Sequence, residues 1–171
     1  MEEKTKYRVR EARPEDMDRV LALRAMLQRH VEASNPGIWR ITPSERHREQ
    51  LTAWMADNDS RVLVATDPAD RVIGVIVGHV ECREDRTPKI TGYLMVACVE
   101  PDCRRESVGR MLVQALCAFF VEREVEDVHL SYVIGNREAE AFWTGLGFVP
   151  RIVRAGVRRR DLEARLKVRP A

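Results

Sequence analysis

Three apolar segments separated by short polar turns constrain the fold of this chain most strongly. They are RVLVAT at 61–66, RVIGVIVGHVEC at 71–82 and ITGYLMVACV at 90–99. Short segments rich in valine and isoleucine, bounded by turn residues, are typical of β-strands. Because only a few residues separate one segment from the next, successive strands should pair antiparallel. The sequence therefore predicts a three-stranded meander at the centre of the fold.

The segments on either side of this meander complete a mixed order of helices and strands. Apolar residues spaced by three and four predict helices, and alternating ones predict strands. Helices are predicted over 14–31, 43–57, 108–120 and 136–146, and strands over 7–11, 127–133 and 148–153. The order β-α-α-β-β-β-α-β-α-β predicts the α/β class, as a mixed α+β sandwich with right-handed crossovers after the meander.

Length and charge narrow the classes of function. The 171 residues predict a single domain over 1–171, with a flexible start at 1–6 and a basic extension at 155–171. The 29 basic and 27 acidic residues nearly cancel, which argues against a nucleic-acid partner. The arginine-rich end is interpreted as a solvated helix rather than a nucleic-acid or membrane patch.

The sequence also indicates a protein that is neither secreted nor membrane-spanning. No apolar run reaches 18 residues, and the charged start MEEKTKYRVR does not resemble a secretory signal. The four cysteines form no CxxC pair and have no histidine at zinc spacing, so no metal site is predicted. We interpret them as reduced thiols and expect a cytoplasmic location.

The segment PDCRRESVGRML, residues 101–112, has the composition of an anion-binding helix start. Three arginines, Arg104, Arg105 and Arg110, could contact an anion, while Ser107 and Gly109 would let it approach the backbone. The spacing is neither that of a Walker loop nor that of a dinucleotide fingerprint. From the residues alone, a second interpretation stays open, in which Ser107 is an ordinary helix cap and the arginines are solvated.

Two motifs together resemble the Gcn5-related N-acetyltransferase (GNAT) superfamily. The first is V-x-P-x-x-R-x-x-S-x-G over Val99–Gly109, and the second is N-x-x-A-x-x-F-W-x-x-x-G-F over Asn136–Phe148. The resemblance implies a mostly antiparallel sheet whose fourth and fifth strands splay apart. It implies an N-acetyltransferase that moves an acetyl group from acetyl-CoA to a primary amine by direct attack. An acyl-CoA-binding module with little catalysis is the alternative.

The resemblance also assigns residues to the acetyl-CoA site. Backbone groups at Ala97, Cys98 and Val99 would pair with the pantetheine arm, and amides of the segment 104–110, Val108 included, would hold the pyrophosphate. Asn136, Phe142 and Trp143 would line the arm. Cys98 itself is not expected to be a nucleophile, because strand alternation buries it on the opposite face from Val99.

Three positions depart from the family pattern. Ser107 and Arg105 stand where the family has glycines, which should make the loop stiffer and more charged. Trp143 stands where many relatives have the tyrosine that protonates the departing thiolate, and an indole N–H is not a usable acid. Loss of the acid should slow such an enzyme rather than abolish its activity, because a thiol is a tolerable leaving group near neutral pH.

The family's usual glutamate base is absent from ITGYLMVACV, so a general base would have to come from other strand residues. If residue 79 pairs with residue 93, His79 and Glu81 share a face with Tyr93, and strict alternation would add Met95, Ala97 and Val99 to that face. His79, Glu81 and Tyr93 are therefore candidate catalytic residues. They could equally be polar residues that reach solvent at a strand end.

The loop after the first helix, residues 32–42, is the expected substrate side by the same resemblance. Glu32 and Trp39 would suit a cationic amine, although Trp39 could instead anchor the loop in the core. The partner is expected to be a small-molecule or peptide amine. A homodimer is plausible because the sheet has exposed edges.

Overall fold

The computed structural model of the chain describes residues 6–35, 37 and 45–167. The strands are β1 (Arg8–Glu11), β2 (Ser60–Thr66), β3 (Val72–Cys82), β4 (Ile90–Val99) and β5 (Asp127–Leu130). The helices are α1 (Met17–Ser34), α2 (Glu45–Ala56), α3 (Val108–Glu122), α4 (Arg137–Thr144) and α5 (Arg159–Leu166). The chain divides into two compact units, Met1–Asn136 and Arg137–Ala171.

The first unit is built on one mixed sheet with the strand order β1-β2-β3-β4-β5. The first four strands pair antiparallel, as the meander predicts, and β4 pairs with β5 in parallel through the crossover that contains α3. The predicted mixed α+β class and its mostly antiparallel sheet are confirmed. Parallel pairing covers only Thr91–Leu94 of β4, so the rest of this ten-residue strand extends beyond β5.

Helices cover both faces of the sheet. On one face, Val20 and Leu23 of α1 and Leu51 of α2 pack with strand residues that include Val75 and Val77. We call this the α1/α2 face. Each such buried side chain contributes about 1.5–3 kcal/mol to folding.

The opposite face is covered by α3. A Cβ added at Gly78 would lie 2.5 Å from Leu116, and one added at Gly92 would lie 3.0 Å from Phe120. These glycines therefore let α3 approach the sheet closely. The apolar face predicted for this helix is confirmed, because Leu112 and Leu116 are each 1% exposed.

A β-bulge interrupts the alternation of β4. Val77 is paired with Val96 and Gly78 with Leu94, so Met95 is the extra residue, and its side chain is half exposed. The bulge reverses the faces on either side of it. The prediction that Tyr93, Met95, Ala97 and Val99 share a face is therefore wrong.

Strand pairing and the contacts at Gly74 show which residues of β4 lie on each face of the sheet. Tyr93 is paired with His79, two residues along β3 from Val77, on the α1/α2 face. Val99 lies on the opposite face. A Cβ added at Gly74 would meet both the Val99 side chain and Leu112 of α3, so Val99 is on the α3 side of the sheet. Ala97, paired with Ile76, also lies on the α3 side by alternation.

Several element boundaries differ from the sequence predictions. The strand β5 ends at Leu130 rather than at 133, and α1 continues to Ser34. The predicted last strand, 148–153, is wrong: these residues have no regular secondary structure, and Ile152 is 91% exposed. A strand needs a hydrogen-bonding neighbour, and the described part of the second unit contains no strand that could supply one.

Candidate functional site

The first turn of α3 contains backbone N–H groups that have no acceptor within the helix. The first intrahelical bond at this end runs from the Met111 N–H to the Ser107 carbonyl, at 3.0 Å. The N–H groups of Val108, Gly109 and Arg110 precede it and have no acceptor within the helix. The Ser107 side chain makes no capping bond. These N–H groups and the positive end of the helix dipole together form an arrangement that suits phosphate oxygens.

The backbone before α3 adopts a conformation that normally requires glycine. Arg105 and Ser107 both have a φ of 63°, in the left-handed region. These are the two positions where the resembling family has glycines. Neither residue is a glycine, so the loop stores conformational strain at both positions.

Side chains hold this loop against the ends of two strands. Arg104 donates from Nε to the Val99 carbonyl at 3.2 Å, so that carbonyl already has a partner. Glu106 accepts a hydrogen bond from the Tyr7 hydroxyl and lies 3.4 Å from the Lys6 ammonium. The Tyr7 and Lys6 contacts hold the pKa of Glu106 below its ordinary value. Arg105 and Arg110 are exposed beside the N–H groups of α3.

Beyond Leu94, β4 has no paired residue in β5 and continues to Val99, just before the loop that leads into α3. Of the predicted pantetheine-binding residues, Cys98 has its side chain buried on the α1/α2 face, where Sγ donates to the Leu23 carbonyl at 3.4 Å. Burial raises the pKa of this thiol to about 11. A buried, protonated thiol is a poor nucleophile, so any contribution of Cys98 to a ligand comes from its backbone.

A row of polar side chains crosses the sheet on the α1/α2 face. Ser60 is paired with His79, His79 with Tyr93, and Tyr93 with His129. We call these four residues the polar row. Its last pair lies one position before Leu94–Leu130, where the pairing of β4 and β5 ends. The pairing of residues 79 and 93 that the sequence suggested is confirmed.

The members of the polar row are linked by specific contacts. Ser60 Oγ lies 3.0 Å from His79 Nδ1 and donates to Asp57 Oδ2 at 2.7 Å. The rings of Tyr93 and His129 are 5.5 Å apart between centroids. About 38% of the His79 side chain is exposed, so the imidazole remains accessible.

Glu81, the other candidate base, lies farther from the end of the β4–β5 pairing. It is paired with Thr91, two positions from the Tyr93 pair, and its carboxylate lies 3.7 Å from Arg83. Asp57, Ser60 and His129, in contrast, are residues that the sequence analysis did not identify. Nothing in the sequence marks them, because only the register of four strands brings them together.

Of the two predicted substrate residues, the structure describes Glu32 but not Trp39. Glu32 lies in the last turn of α1 rather than in a loop, and accepts a hydrogen bond from Gln28 at 2.9 Å. The helix continues past it until Asn35, which precedes a proline and has extended backbone. The Asn35 side chain donates to the Ile134 carbonyl at 3.1 Å and so joins this end of α1 to the segment after β5.

The second predicted motif spans the boundary of the two units. Asn136 ends the first unit and is 6% exposed, and its N–H donates to the Val133 carbonyl at 3.0 Å. In the second unit, Trp143 is also 6% exposed, and its ring meets Phe142 and Phe148 edge-on at 4.8 and 5.5 Å. Gly147 has a φ of 92°, as a residue that ends a helix often does. The assignment of Asn136, Phe142 and Trp143 to the acetyl-CoA site remains a prediction.

The described part of the chain contains neither a membrane-spanning helix nor a metal-binding cluster. None of its helices is both long and apolar enough to cross a membrane. Within the same residues, no group of three or more His, Cys, Asp or Glu side chains could hold a metal ion.

Comparisons with known proteins agree with this architecture. Residues 24–148 match the family described as "Acetyltransferase (GNAT) family". No curated protein matches the chain in sequence. Among solved structures, a tetramutant of the BH1408 protein from Bacillus halodurans is 21% identical with a TM-score of 0.78, over 88% of this chain and 99% of that one.

Two aminoglycoside acetyltransferases are also similar in structure. The aminoglycoside 6'-N-acetyltransferase AAC(6')-Ih from Acinetobacter baumannii is 16% identical with a TM-score of 0.70, over 89% of this chain and 98% of that one. The enzyme meta-AAC0020, from an uncultured soil metagenomic sample, is 18% identical with a TM-score of 0.65, over 91% and 97% of the two chains. At these identities the similarity shows the fold alone.

Proposed function

Because the chain belongs to the acetyltransferase (GNAT) family, we propose that it transfers an acetyl group from acetyl-CoA to a primary amine by direct attack. The observation that carries this proposal is the start of α3, where Val108, Gly109 and Arg110 present N–H groups without intrahelical acceptors. This helix start follows directly on β4, whose length exceeds its pairing with β5. An anion site at the end of a partly unpaired strand suits a ligand with both a pyrophosphate and an extended amide-containing arm.

Different residues of the first unit would bind different parts of acetyl-CoA. Arg105 and Arg110, with the N–H groups of α3, would hold the pyrophosphate, and backbone groups of Ala97 and Cys98 would pair with the arm. Acetyl-CoA supplies an acetyl group activated as a thioester. Backbone N–H groups of β4 near the bulge would polarise the thioester carbonyl as charge develops on its oxygen.

Direct attack is favoured over an acyl-enzyme by the state of Cys98. Its thiol is buried, and its pKa is raised to about 11. The acceptor amine would approach from the α1/α2 face, where the polar row ends one position before the last paired residues of β4 and β5. The structural neighbours named as aminoglycoside acetyltransferases make aminoglycosides one acceptor class to test, alongside polyamines, amino acids and peptide N-termini. A homodimer and a cytoplasmic location remain predictions.

A binding module that holds acyl-CoA without transfer is the second candidate. The observation in its favour is Trp143, an indole at the position of the usual acid. The two functions are separated by a thermal shift with acetyl-CoA, followed by thiol release in the presence of each amine. A shift with release on at least one amine supports the transferase. A shift without release on any amine supports the module, and no shift contradicts both.

A matched pair of variants tests the location of the site. Arg110→Ala should weaken acetyl-CoA binding by about tenfold, because it removes one charge next to the pyrophosphate. Arg46→Ala, which removes an exposed arginine from α2, should leave the affinity unchanged. Equal effects of the two substitutions would contradict the assignment of the pyrophosphate to the start of α3.

A further inference from the structure

The contacts of Ser60 determine which nitrogen of His79 carries the proton. Ser60 Oγ donates its only proton to Asp57 Oδ2 at 2.7 Å, because a carboxylate is an acceptor only. The same oxygen lies 3.0 Å from His79 Nδ1. Since the hydroxyl proton is already used, Nδ1 must be the donor in this second bond. The neutral imidazole therefore carries its proton on Nδ1, and Nε2 is left as an unprotonated acceptor.

From this arrangement we infer that Asp57 and Ser60 position His79 so that its Nε2 accepts the proton of the acceptor amine. The inference rests on the proposed transferase function and assigns its general base. The two ring nitrogens are separated by one ring carbon and their hydrogen-bonding directions diverge, so Nε2 is not directed at Ser60. Asp57 and Ser60 are positioning residues, because they act through His79.

Asp57 is itself held in place for this role. Its Oδ1 accepts the Asp59 N–H at 3.1 Å, and its carbonyl accepts the Ser60 N–H at 3.1 Å. Oδ2 lies 3.5 Å from His79 Nδ1 as well as accepting from Ser60. The carboxylate is therefore fixed where its negative charge stabilises the imidazolium that forms when Nε2 takes a proton.

The position of His79 makes it a better candidate for the general base than Glu81 or His129. It is paired with Tyr93, one position before the pairing of β4 with β5 ends at Leu94. Glu81 lies on the same face, two residues farther from that point, with its carboxylate beside Arg83. His129 stacks on the other side of Tyr93, but Asp127 is 3.9 Å from its Nε2, the nitrogen that would otherwise be free.

The chemical step balances without any further reactant. The amine nitrogen forms a bond to the acetyl carbon as the bond from that carbon to sulfur breaks, and the sulfur leaves with the electron pair. The proton lost by the nitrogen passes to His79 Nε2. It then passes from the imidazolium to solvent, and solvent protonates the thiolate to give free CoA. The histidine is thereby returned to its starting form.

Nitrogen-15 spectra of the histidine rings test the positioning without any need for activity. The chain has four histidines, and His79→Gln assigns the resonances of His79 by their disappearance. In the unmodified protein at a pH where His79 is neutral, Nδ1 should be protonated and Nε2 unprotonated. Ser60→Ala should abolish this preference, and Ser60→Thr, which keeps a hydroxyl, should retain it. A ring protonated on Nε2 in the unmodified protein would overturn the positioning.

Kinetics test the catalytic half of the inference. His79→Gln should lower kcat by about 100-fold with little change in the KM for acetyl-CoA, and it should remove the acid limb of the pH–rate profile. Ser60→Ala and Asp57→Asn should each lower kcat by about tenfold, and Ser60→Thr should restore most of the loss. The control is Glu84→Gln, which changes an exposed carboxylate between β3 and β4 that is paired with Lys89, and it should keep full activity.

The possible failures are distinguishable. If the unmodified protein releases no thiol with any amine, the proposed function fails, and the catalytic half of the inference fails with it. If the protein is active and the acid limb disappears in His129→Gln but not in His79→Gln, the base is His129, and the inference alone is overturned. A kcat for His79→Gln equal to that of the unmodified enzyme overturns it as well.

Discussion

Ser107→Gly should stabilise this protein, because Ser107 has backbone that favours glycine. Its φ is 63°. A residue with a Cβ pays roughly 1–2 kcal/mol for this conformation. Replacement by glycine recovers that strain but costs about 0.5–1 kcal/mol in chain entropy of the unfolded state. The side chain makes no capping bond that would be lost. The net gain in the free energy of unfolding should be about 0.5–1 kcal/mol.

For a domain of this size, such a gain raises Tm by about 1–4 °C. Differential scanning calorimetry measures it, with urea denaturation as a second reading of the free energy of unfolding. The matched control is Asp102→Gly, in the same loop at an exposed position without left-handed backbone, which should lower Tm. Acetyl-CoA binding by Ser107→Gly should be retained, because the N–H groups of α3 are unchanged. A Tm for Ser107→Gly at or below that of Asp102→Gly would refute the reasoning.

Three further predictions concern the thiols and the contact between the sheet and α3. With Ellman's reagent at pH 8, Cys82 and Cys117 are exposed and should react quickly, whereas the buried Cys98 should react only on unfolding. Burial raises the pKa of the Cys98 thiol to about 11. The protonated thiol therefore contributes fully to the free energy of unfolding below pH 9, and this contribution is lost between about pH 9 and 11. Urea unfolding measured against pH should show that the free energy of unfolding falls more steeply at alkaline pH in the unmodified protein than in Cys98→Ala. Gly78→Ala should lower the free energy of unfolding by about 1–3 kcal/mol, because the added Cβ lies 2.5 Å from Leu116; an unchanged urea midpoint would show that α3 can move aside.

Much of the fold was predictable because its elements have strong local patterns. The strand β4 begins at Ile90 and ends at Val99 as predicted, and α3 follows the spacing of its apolar residues. The pairing of His79 with Tyr93 was one register that the sequence allowed, and the structure adopts it, although the turn alone did not exclude a slip by one residue. The start of α3 was identified from its arginines, Ser107 and Gly109.

The features that were missed depend on contacts between distant segments. The bulge at Met95 has no sequence signal, since Met95 alternates like its neighbours, and it moves Tyr93 to the opposite face from Val99. The link between Asp57, Ser60 and His79 joins the end of α2 to two strands, which no local pattern encodes.

The last strand, in contrast, was predicted from the sequence and is not present in the structure. Residues 148–153 have strand-like composition, but composition does not supply a hydrogen-bonding neighbour. In the described part of the second unit, helices α4 and α5 are the regular elements, so that unit supplies no strand for the segment between them to pair with.

The most direct test of the account is the fate of a labelled acetyl group. The protein is incubated with acetyl-CoA carrying carbon-13 in the acetyl group, together with each amine class in turn, and the products are separated and weighed by mass spectrometry. We expect at least one amine to gain the labelled acetyl group, in an amount equal to the free CoA released, and we expect no label on the protein. Label retained by the protein would contradict direct attack. Bound acetyl-CoA that remains intact with every amine would contradict the transferase itself.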